Sequence, residues 1–127
     1  MSALILDAGA FLAVDRGDRA IMARLQVARQ HGIQLRTSAI VIAQVWRDSQ
    51  GRQAELARLL PAVDVRPIDE PLAREAGVLI GRAKTSDPID ATIVLVASGG
   101  DRILTSDPGD LQRLAKVARK RVAIIAC

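Results

Sequence analysis

The fold is decided by the stretch Ala3-Leu4-Ile5-Leu6-Asp7-Ala8-Gly9. Its four consecutive apolar residues predict a short buried strand, which stops at the acid and the small residues after it. Further short strands are predicted at 33–36, 63–66, 102–105 and 122–125. Residues with a helical period predict helices between them, at 19–30, 39–48, 52–60, 71–83, 89–97 and 111–118. This alternation of strands and helices predicts a parallel sheet that is covered on both faces.

The size and composition of the chain predict one folded domain, residues 1–127. Of its 127 residues, 50% are hydrophobic and 25% are charged, and this balance excludes a disordered chain. The apolar runs fall short of the roughly 20 residues that a membrane helix needs, and the first residues do not resemble a signal peptide. We therefore expect a soluble, cytoplasmic protein with no membrane partner.

Cysteine and histidine are too scarce for several kinds of catalytic site. Cys127 is the single cysteine, so the chain cannot form an internal disulfide. Because His31 is the single histidine, a zinc site built from cysteine and histidine ligands is also excluded. We expect His31 to help end the helix at 19–30 rather than to act as a catalytic base. The chemistry of this chain must therefore come from carboxylates.

Several aspartates are predicted to meet at one edge of the sheet. Asp7 follows the first strand directly, and Asp107 stands in the same relation to the strand that ends at 105. Asp90 and Asp110 each follow another aspartate by three residues, which places both acids of a pair on one side of a helix start. Acids gathered at the carboxyl ends of parallel strands repel one another unless a cation lies between them. Oxygen ligands without histidine or cysteine suit Mg²⁺ or Mn²⁺.

A purely structural interpretation competes with the metal site. Asp87-Pro88 and Asp107-Pro108 each combine an N-cap residue with a proline at the first helical position. Asp90 would then complement the dipole of its helix. Asp7 fits this interpretation less well, because an acid at the end of a buried strand needs a partner or a metal. Asp7, Asp90 and Asp107 together favour the metal site.

Four segments resemble, in order, the sequence blocks of PIN-domain ribonucleases, and the small size of the chain resembles the VapC toxins within that family. They are ALILDAGAFL at 3–12, SAIVIAQVW at 38–46, DATIVLVA at 90–97 and ILTSDPGDL at 103–111. The resemblance implies the PIN-like α/β fold, a three-layer α/β/α sandwich with a central parallel sheet. It also implies a metal-dependent endoribonuclease that hydrolyses phosphodiester bonds in tRNA or rRNA as the toxin of a type II toxin–antitoxin pair.

The same resemblance assigns roles to individual residues. It implies that Asp7, Asp90 and Asp107 are the catalytic acids and bind Mg²⁺ or Mn²⁺. The accessory ligands would be Asp87, Asp110 and Gln44. A VapB-type antitoxin and a second copy of the chain, in a homodimer, are the implied protein partners.

Gln44 departs from the family pattern, which usually has a glutamate at this place. Glutamine keeps one oxygen ligand but loses a negative charge, so we expect a cation to bind less tightly here. A Gln44→Glu change is expected to tighten Mg²⁺ binding. The departure also leaves an alternative function open, in which the chain is a catalytically degenerate PIN-fold module that binds a protein and cleaves nothing.

The basic residues suggest where RNA would bind. The net charge is +4, which favours a polyanionic partner but is equally compatible with simple solubility. Lys84 and Arg82 precede the acidic region and are the candidate phosphate contacts. A second basic run can equally be a solvated helix face; it comprises Arg113, Lys116, Arg119, Lys120 and Arg121. The only aromatic residues are Phe11 and Trp46, so stacking on bases is almost excluded, and Trp46 is expected in the core.

Overall fold

One parallel sheet forms the centre of the molecule. The computed structural model describes residues 2–47 and 50–127, and its strands are β1 (Ala3–Leu6), β2 (Gln34–Ser38), β3 (Val63–Arg66), β4 (Arg102–Thr105) and β5 (Ala123–Ala126). Their order in the sheet is β3-β2-β1-β4-β5. The chain therefore extends the sheet from β1 in one direction and then in the other, which makes the boundary between β1 and β4 the switch point where ligands of such sheets bind.

The helices form two groups, one on each face of the sheet. The first comprises α1 (Ala8–Asp15), α2 (Arg19–Gln30), α3 (Ala39–Val45) and α4 (Ala54–Leu59), which a 3₁₀ turn at Leu60–Ala62 follows. The second comprises α5 (Glu70–Ala83), α6 (Pro88–Val96) and α7 (Pro108–Val117). Within each group the helices pack on one another and on the strands. The predicted α/β/α sandwich with a central parallel sheet is thus confirmed.

The core lies on both faces of the inner strands. All four residues of β1 are buried, and Ile103 and Leu104 of β4 are fully buried beside them. Burial on both faces explains why these strands are continuous apolar runs without alternation. None of the helices in the described part of the chain is long and apolar enough to cross a bilayer.

Two helices differ from the sequence prediction near the functional edge. Helix α1 was not predicted, because nearly all of its residues are apolar, including the exposed Leu12, so its sequence has no amphipathic period. Helix α3 ends at Val45, whereas the prediction extended it to residue 48, and Trp46 is already extended with φ −82° and ψ 124°. Asp48, at the predicted end, lies outside the described residues.

Candidate active site

Asp7 connects the first strand to the first helix and is held at both carboxylate oxygens. It follows β1 and is the N-cap of α1, where its Oδ1 accepts a hydrogen bond of 2.8 Å from the backbone N–H of Ala8. The hydroxyl of Thr105, at the end of β4, donates to Oδ2 over 2.8 Å. Asp7 is only 6% exposed. Each oxygen keeps a further lone pair, so the carboxylate can still accept from, or bind to, a ligand.

Gly9 allows the ends of β1 and β4 to approach closely. A Cβ atom at Gly9 would lie 2.5 Å from Oγ of Ser106 and 2.9 Å from its backbone nitrogen, distances that no side chain tolerates. The first turn of α1 therefore packs directly against the segment that follows β4. This contact brings Asp7 and Asp107 to the same side of the switch point.

Asp107 occupies the N-cap position of α7 without capping it. Within the described residues its side chain accepts no hydrogen bond from the first turn of the helix. Its backbone N–H instead donates to the Thr105 hydroxyl over 3.0 Å. Thr105 thereby links the Asp7 carboxylate to the Asp107 backbone, while the Asp107 carboxylate remains available.

Three aspartates from two helices converge beside this link. One carboxylate oxygen from each of Asp90, Asp107 and Asp110 lies within 4.8 Å of the others. Asp107 and Asp110 belong to the start of α7 and are exposed, whereas Asp90 lies in the first turn of α6 and is buried. We call Asp90, Asp107 and Asp110 the acidic cluster.

Asp90 has a pKa well above that of an ordinary aspartate. Burial raises its pKa from 3.8 to about 7, and the negative charges of nearby Asp7, Asp87, Asp107 and Asp110 add to the rise. Without a bound cation the folded protein therefore holds a proton on Asp90 close to neutral pH. A cation among the acids would favour the charged form instead.

Asp87 has a different role from the other acids. It is the N-cap of α6, and its Oδ1 accepts hydrogen bonds from the backbone N–H groups of Ile89, over 2.9 Å, and Asp90, over 3.3 Å. The capping interpretation therefore describes its contacts, although its charge still acts on Asp90.

The remaining predicted site residues lie on the surface. Gln44 is exposed in the last turn of α3. Arg82 is exposed in the last turn of α5, and Lys84 is exposed at the end of that helix, in a left-handed conformation with φ 55°. In the second basic run, Lys120 donates from Nζ to the carbonyl oxygens of Val94, Leu95 and Ala97, so it caps the C-terminus of α6.

Sequence reasoning missed the hydroxyl groups of this edge. Thr105 follows no recognised pattern, and its role appears only when β1 and β4 are neighbours. Ser38 is the N-cap residue of α3, but its hydroxyl does not cap that helix in the described structure. It lies 2.8 Å from the hydroxyl of Thr92, which itself donates to the Ile89 carbonyl. Ser38 therefore anchors the start of α3 to α6.

Two residues outside the acidic cluster behave as predicted. His31 ends α2, where its Nδ1 lies 2.8 Å from the carbonyl oxygen of Val27. Trp46 is half-buried and packs against the core. Neither side chain adds a catalytic group to the acidic cluster.

The donor set fits a hard divalent cation. Asp90 is 8% exposed, and its carboxylate accepts no hydrogen bond from any residue that the structure describes. The buried acid at the opposite edge, Asp101, is fully satisfied: it accepts 2.7 Å hydrogen bonds from the N–H groups of Ala3 and Ser98 and lies 3.5 Å from the Arg36 guanidinium. The negative charges of Asp90, Asp107 and Asp110, whose oxygens lie within 4.8 Å of one another, repel each other unless a cation lies among them, and carboxylate oxygens suit Mg²⁺ or Mn²⁺.

No protein-family model matches the sequence, and no curated protein matches it at a significant level. Similar folds occur among solved structures. A chain in the crystal structure of VapBC2 from Rickettsia felis, bound to a DNA fragment from their promoter, superposes with a TM-score of 0.70 at 10% sequence identity. The match covers 96% of this chain and 98% of that one.

Two further structures give the same result. A chain of FitAcB from Neisseria gonorrhoeae has a TM-score of 0.65 at 18% identity, with 96% of both chains covered. A chain of DNA-bound VapBC from Salmonella typhimurium has a TM-score of 0.63 at 17% identity, with 98% of both chains covered. At these identities the likeness establishes the fold. The chain has the PIN-like α/β fold that its four sequence segments predicted.

Proposed function

We propose that this chain is a metal-dependent endoribonuclease of the PIN family and the toxin of a type II toxin–antitoxin pair. One observation carries the proposal: the carboxylates of Asp90, Asp107 and Asp110 converge within 4.8 Å, next to Asp7, at the switch point of a parallel sheet. The PIN-like fold and the resemblance of the four segments support the assignment of RNA as the substrate.

In phosphodiester hydrolysis, the acids of this chain would bind the metal ion and orient the attacking water molecule. Asp90, Asp107 and Asp110 would hold Mg²⁺ or Mn²⁺, and Asp7, fixed by Thr105 and Ala8, would complete the ligand set. When bound, such an ion polarises a phosphate group and lowers the pKa of a water molecule. A carboxylate of the site that accepts a proton from the attacking water also orients it.

Binding of RNA phosphates needs basic side chains near the acidic cluster but outside it. Arg82 and Lys84 lie at the end of α5, five and three residues before Asp87, the cap of α6, and we propose that they contact phosphates. The chain has few aromatic side chains, so its affinity for RNA would fall steeply with salt.

The proposal includes protein partners. Solved structures with this fold carry the names VapBC2, FitAcB and VapBC, which supports a VapB-type antitoxin as the partner of this chain. We further propose that the chain forms a homodimer and acts in the cytoplasm, where its RNA substrate is.

The test is RNA cleavage by the purified chain. Total RNA is incubated with wild-type protein in Mn²⁺, in Mg²⁺ or in EDTA, and beside it with Asp7→Asn. The matched control is Asp69→Asn, because Asp69 is an exposed cap of α5 and asparagine caps helices as well as aspartate does. We expect discrete fragments from the wild type and the control with metal, and none in EDTA or from Asp7→Asn.

The alternative function gives a different result in the same experiment. A degenerate PIN-fold binding module would leave identical RNA profiles in all lanes. It would still bind a protein partner, which size-exclusion chromatography with a co-expressed antitoxin detects. Cleavage that persists in Asp7→Asn would point to a contaminating nuclease and would contradict the proposed function.

A further inference from the structure

We propose that a groove between α5 and the end of α7 binds the phosphate backbone of RNA at a distance from the acidic cluster. The inference rests on the proposed function and gives the substrate a second contact surface. The side chains that would bind phosphates are Arg74 and Arg82 of α5 and Arg119, which follows α7. In the sequence, Arg82 and Arg119 belong to two separate basic segments, and the groove brings them together.

The first argument is the charge of the groove. It has a volume of about 860 Å³, and its walls carry four cationic side chains but one acidic side chain, Glu75. One of the cations, Lys120, donates to three backbone carbonyl oxygens at the end of α6 and is already occupied. The remaining three, Arg74, Arg82 and Arg119, give the groove an excess of positive charge.

The second argument is that these arginines are available to a ligand. Arg82 and Arg119 form no ion pair with an acid in residues 2–47 and 50–127. Arg74 lies 3.1 Å from the Glu70 carboxylate, but both side chains are more than three-quarters exposed, and such a pair contributes little. A guanidinium group binds a phosphate through two parallel N–H groups. The three arginines can therefore exchange water, or a weak partner, for phosphates.

The third argument is the backbone of Arg119, which has a left-handed conformation with φ 56°. Arg119 ends α7 by donating its N–H to the Lys116 carbonyl over 3.1 Å, while the N–H of Lys120 donates to the Ala115 carbonyl over 3.0 Å. Glycine is the usual residue at such a helix end, because it adopts this conformation without steric cost. An arginine at this position gives up stability, and binding of a ligand by its side chain explains that cost.

The fourth argument is the extent of the groove. Arg74 and Arg82 are eight residues apart on α5, which separates them by roughly 12 Å along the helix axis. A single small anion cannot contact both, so the ligand carries several negative charges. Asp110 and Val117 lie near the two ends of α7, about 10 Å apart along its axis. A short stretch of one RNA strand therefore reaches from the acidic cluster to the groove, and this continuity favours RNA over an acidic protein segment.

RNA binding without metal tests the inference separately from cleavage. Fluorescence anisotropy measures the dissociation constant of a fluorescein-labelled single-stranded RNA for the purified full chain, in EDTA and at several salt concentrations. The groove variant is Arg74→Gln/Arg119→Gly. The matched control, Arg16→Gln/Arg58→Gln, removes the same charge from two exposed arginines, one at the end of α1 and one in α4, helices of the other face of the sheet.

The groove variant should bind RNA about tenfold or more weakly than the wild type. The slope of the logarithm of affinity against the logarithm of salt concentration should become shallower by about 0.7 for each lost phosphate contact. We expect a much smaller loss in the control. The melting temperature of the groove variant should not fall, because glycine takes the left-handed conformation more readily than arginine does, so the lost affinity is not caused by unfolding.

The outcomes separate this inference from the proposed function. Equal losses in the groove variant and the control overturn the inference, because net charge alone then explains RNA binding. Unchanged affinity in the groove variant also overturns it and favours an acidic protein segment in the groove. A wild type that does not bind RNA in EDTA but cleaves it with Mn²⁺ overturns the inference alone. A wild type that binds RNA through the groove but cleaves none with Mn²⁺ supports the inference and contradicts the proposed nuclease.

Discussion

Two tetrapeptides in this chain have the same design and different roles. Asp87-Pro88-Ile89-Asp90 begins α6, and Asp107-Pro108-Gly109-Asp110 begins α7. In the first, the leading aspartate caps the helix through two backbone N–H groups. In the second it does not cap in the described structure, and its own N–H is bound by Thr105. The local signal for a helix start is identical, and the surroundings decide whether the acid serves the helix or a ligand.

The difference follows from the position of each tetrapeptide relative to the strands of the sheet. The tetrapeptide at 107–110 begins just after β4, which is paired with β1. The backbone N–H of its leading acid therefore reaches the Thr105 hydroxyl, next to the close contact of Gly9 with Ser106. The first follows α5, and no strand end is adjacent to it along the chain. In the tetrapeptide at the start of α6, the acid that lies near Asp107 and Asp110 is therefore the final residue, Asp90.

The largest effect is expected on RNA cleavage when the two leading acids are changed alike. Asp107→Asn removes a free carboxylate from the proposed metal site and should lower the rate by about a hundredfold or more. Asp87→Asn keeps a good cap and should cost far less activity. The measurement is the initial rate with Mn²⁺ for both variants; equal losses would contradict the distinction between the two tetrapeptides.

The second effect is a pH dependence of stability that comes from Asp90. Its pKa is about 7 in the metal-free folded protein against an ordinary 3.8, so between these values the folded state binds more protons than the unfolded state. The stability that this proton gives is complete below about pH 4 and is lost as the pH rises through 7. Thermal unfolding in EDTA should show Asp90→Asn gaining on the wild type from pH 5 to pH 8.

The same experiment with Mn²⁺ supplies the control for the pH effect. At pH 8 the cation should stabilise the wild type and leave Asp90→Asn almost unchanged. A wild type and a variant whose melting temperatures move in parallel across this range would show that Asp90 does not titrate as described.

The third prediction compares two glycines, Gly9, which follows Asp7 by two residues, and Gly109, which follows Asp107 by two residues. Gly9→Ala places a Cβ against Ser106 and should destabilise the fold by about 1–3 kcal/mol. Gly109→Ala, in the first turn of α7, meets open space and should stabilise the protein by up to about 1 kcal/mol. Urea unfolding measures both; a neutral Gly9→Ala would mean that the contact with Ser106 relaxes without cost.

The fourth prediction concerns the caps themselves. Asp87→Ala removes an occupied cap and should lower the free energy of unfolding by about 1 kcal/mol. Asp107→Ala removes no cap hydrogen bond and relieves repulsion within the acidic cluster, so metal-free protein should lose less stability or gain some. Chemical denaturation in EDTA compares the two, and the reverse order would restore the capping interpretation for Asp107.

The smallest effect is expected at Gln44. A Gln44→Glu change adds a negative charge to an exposed helix position and should tighten Mg²⁺ binding modestly. Isothermal titration calorimetry measures the dissociation constant. No gain in affinity would show that position 44 lies too far from the ion to act on it.

Much of the fold was predictable because its inner strands are buried on both faces. The bounds of β1 and β4 agree with the prediction, since a short apolar run between breakers leaves little choice of structure. The bounds of β3 agree as well, although this edge strand alternates apolar and charged residues and is mostly exposed. Helix α2 agrees as well, because it is amphipathic and has a capping aspartate at its start. Helix α1 was not predicted because its exposed side is apolar as well as its buried side, so the sequence has no helical period.

The site was predictable only in its residue types. Asp7 stands out from the sequence because an acid at the end of a buried strand needs a partner or a metal, whereas Asp90 and Asp107, at helix starts, stand out only together with it. Asp110 and Asp87 carry equally strong local signals, and the sequence ranks neither above the other. The structure separates them, because Asp87 is occupied by two N–H groups whereas Asp110 lies within 4.8 Å of Asp90 and Asp107.

The sequence by itself determined the parallel α/β sandwich, the scarcity of histidine and cysteine, and the supply of acids near the carboxyl ends of the strands. Those properties depend on short-range patterns of burial and on residue counts. The tertiary structure alone decided which acids share a site, through the pairing of β1 with β4, the Thr105 link and the contact at Gly9. A carboxylate is the same group in every sequence context, and what it binds depends on which charges and donors the fold brings within a few ångströms of it.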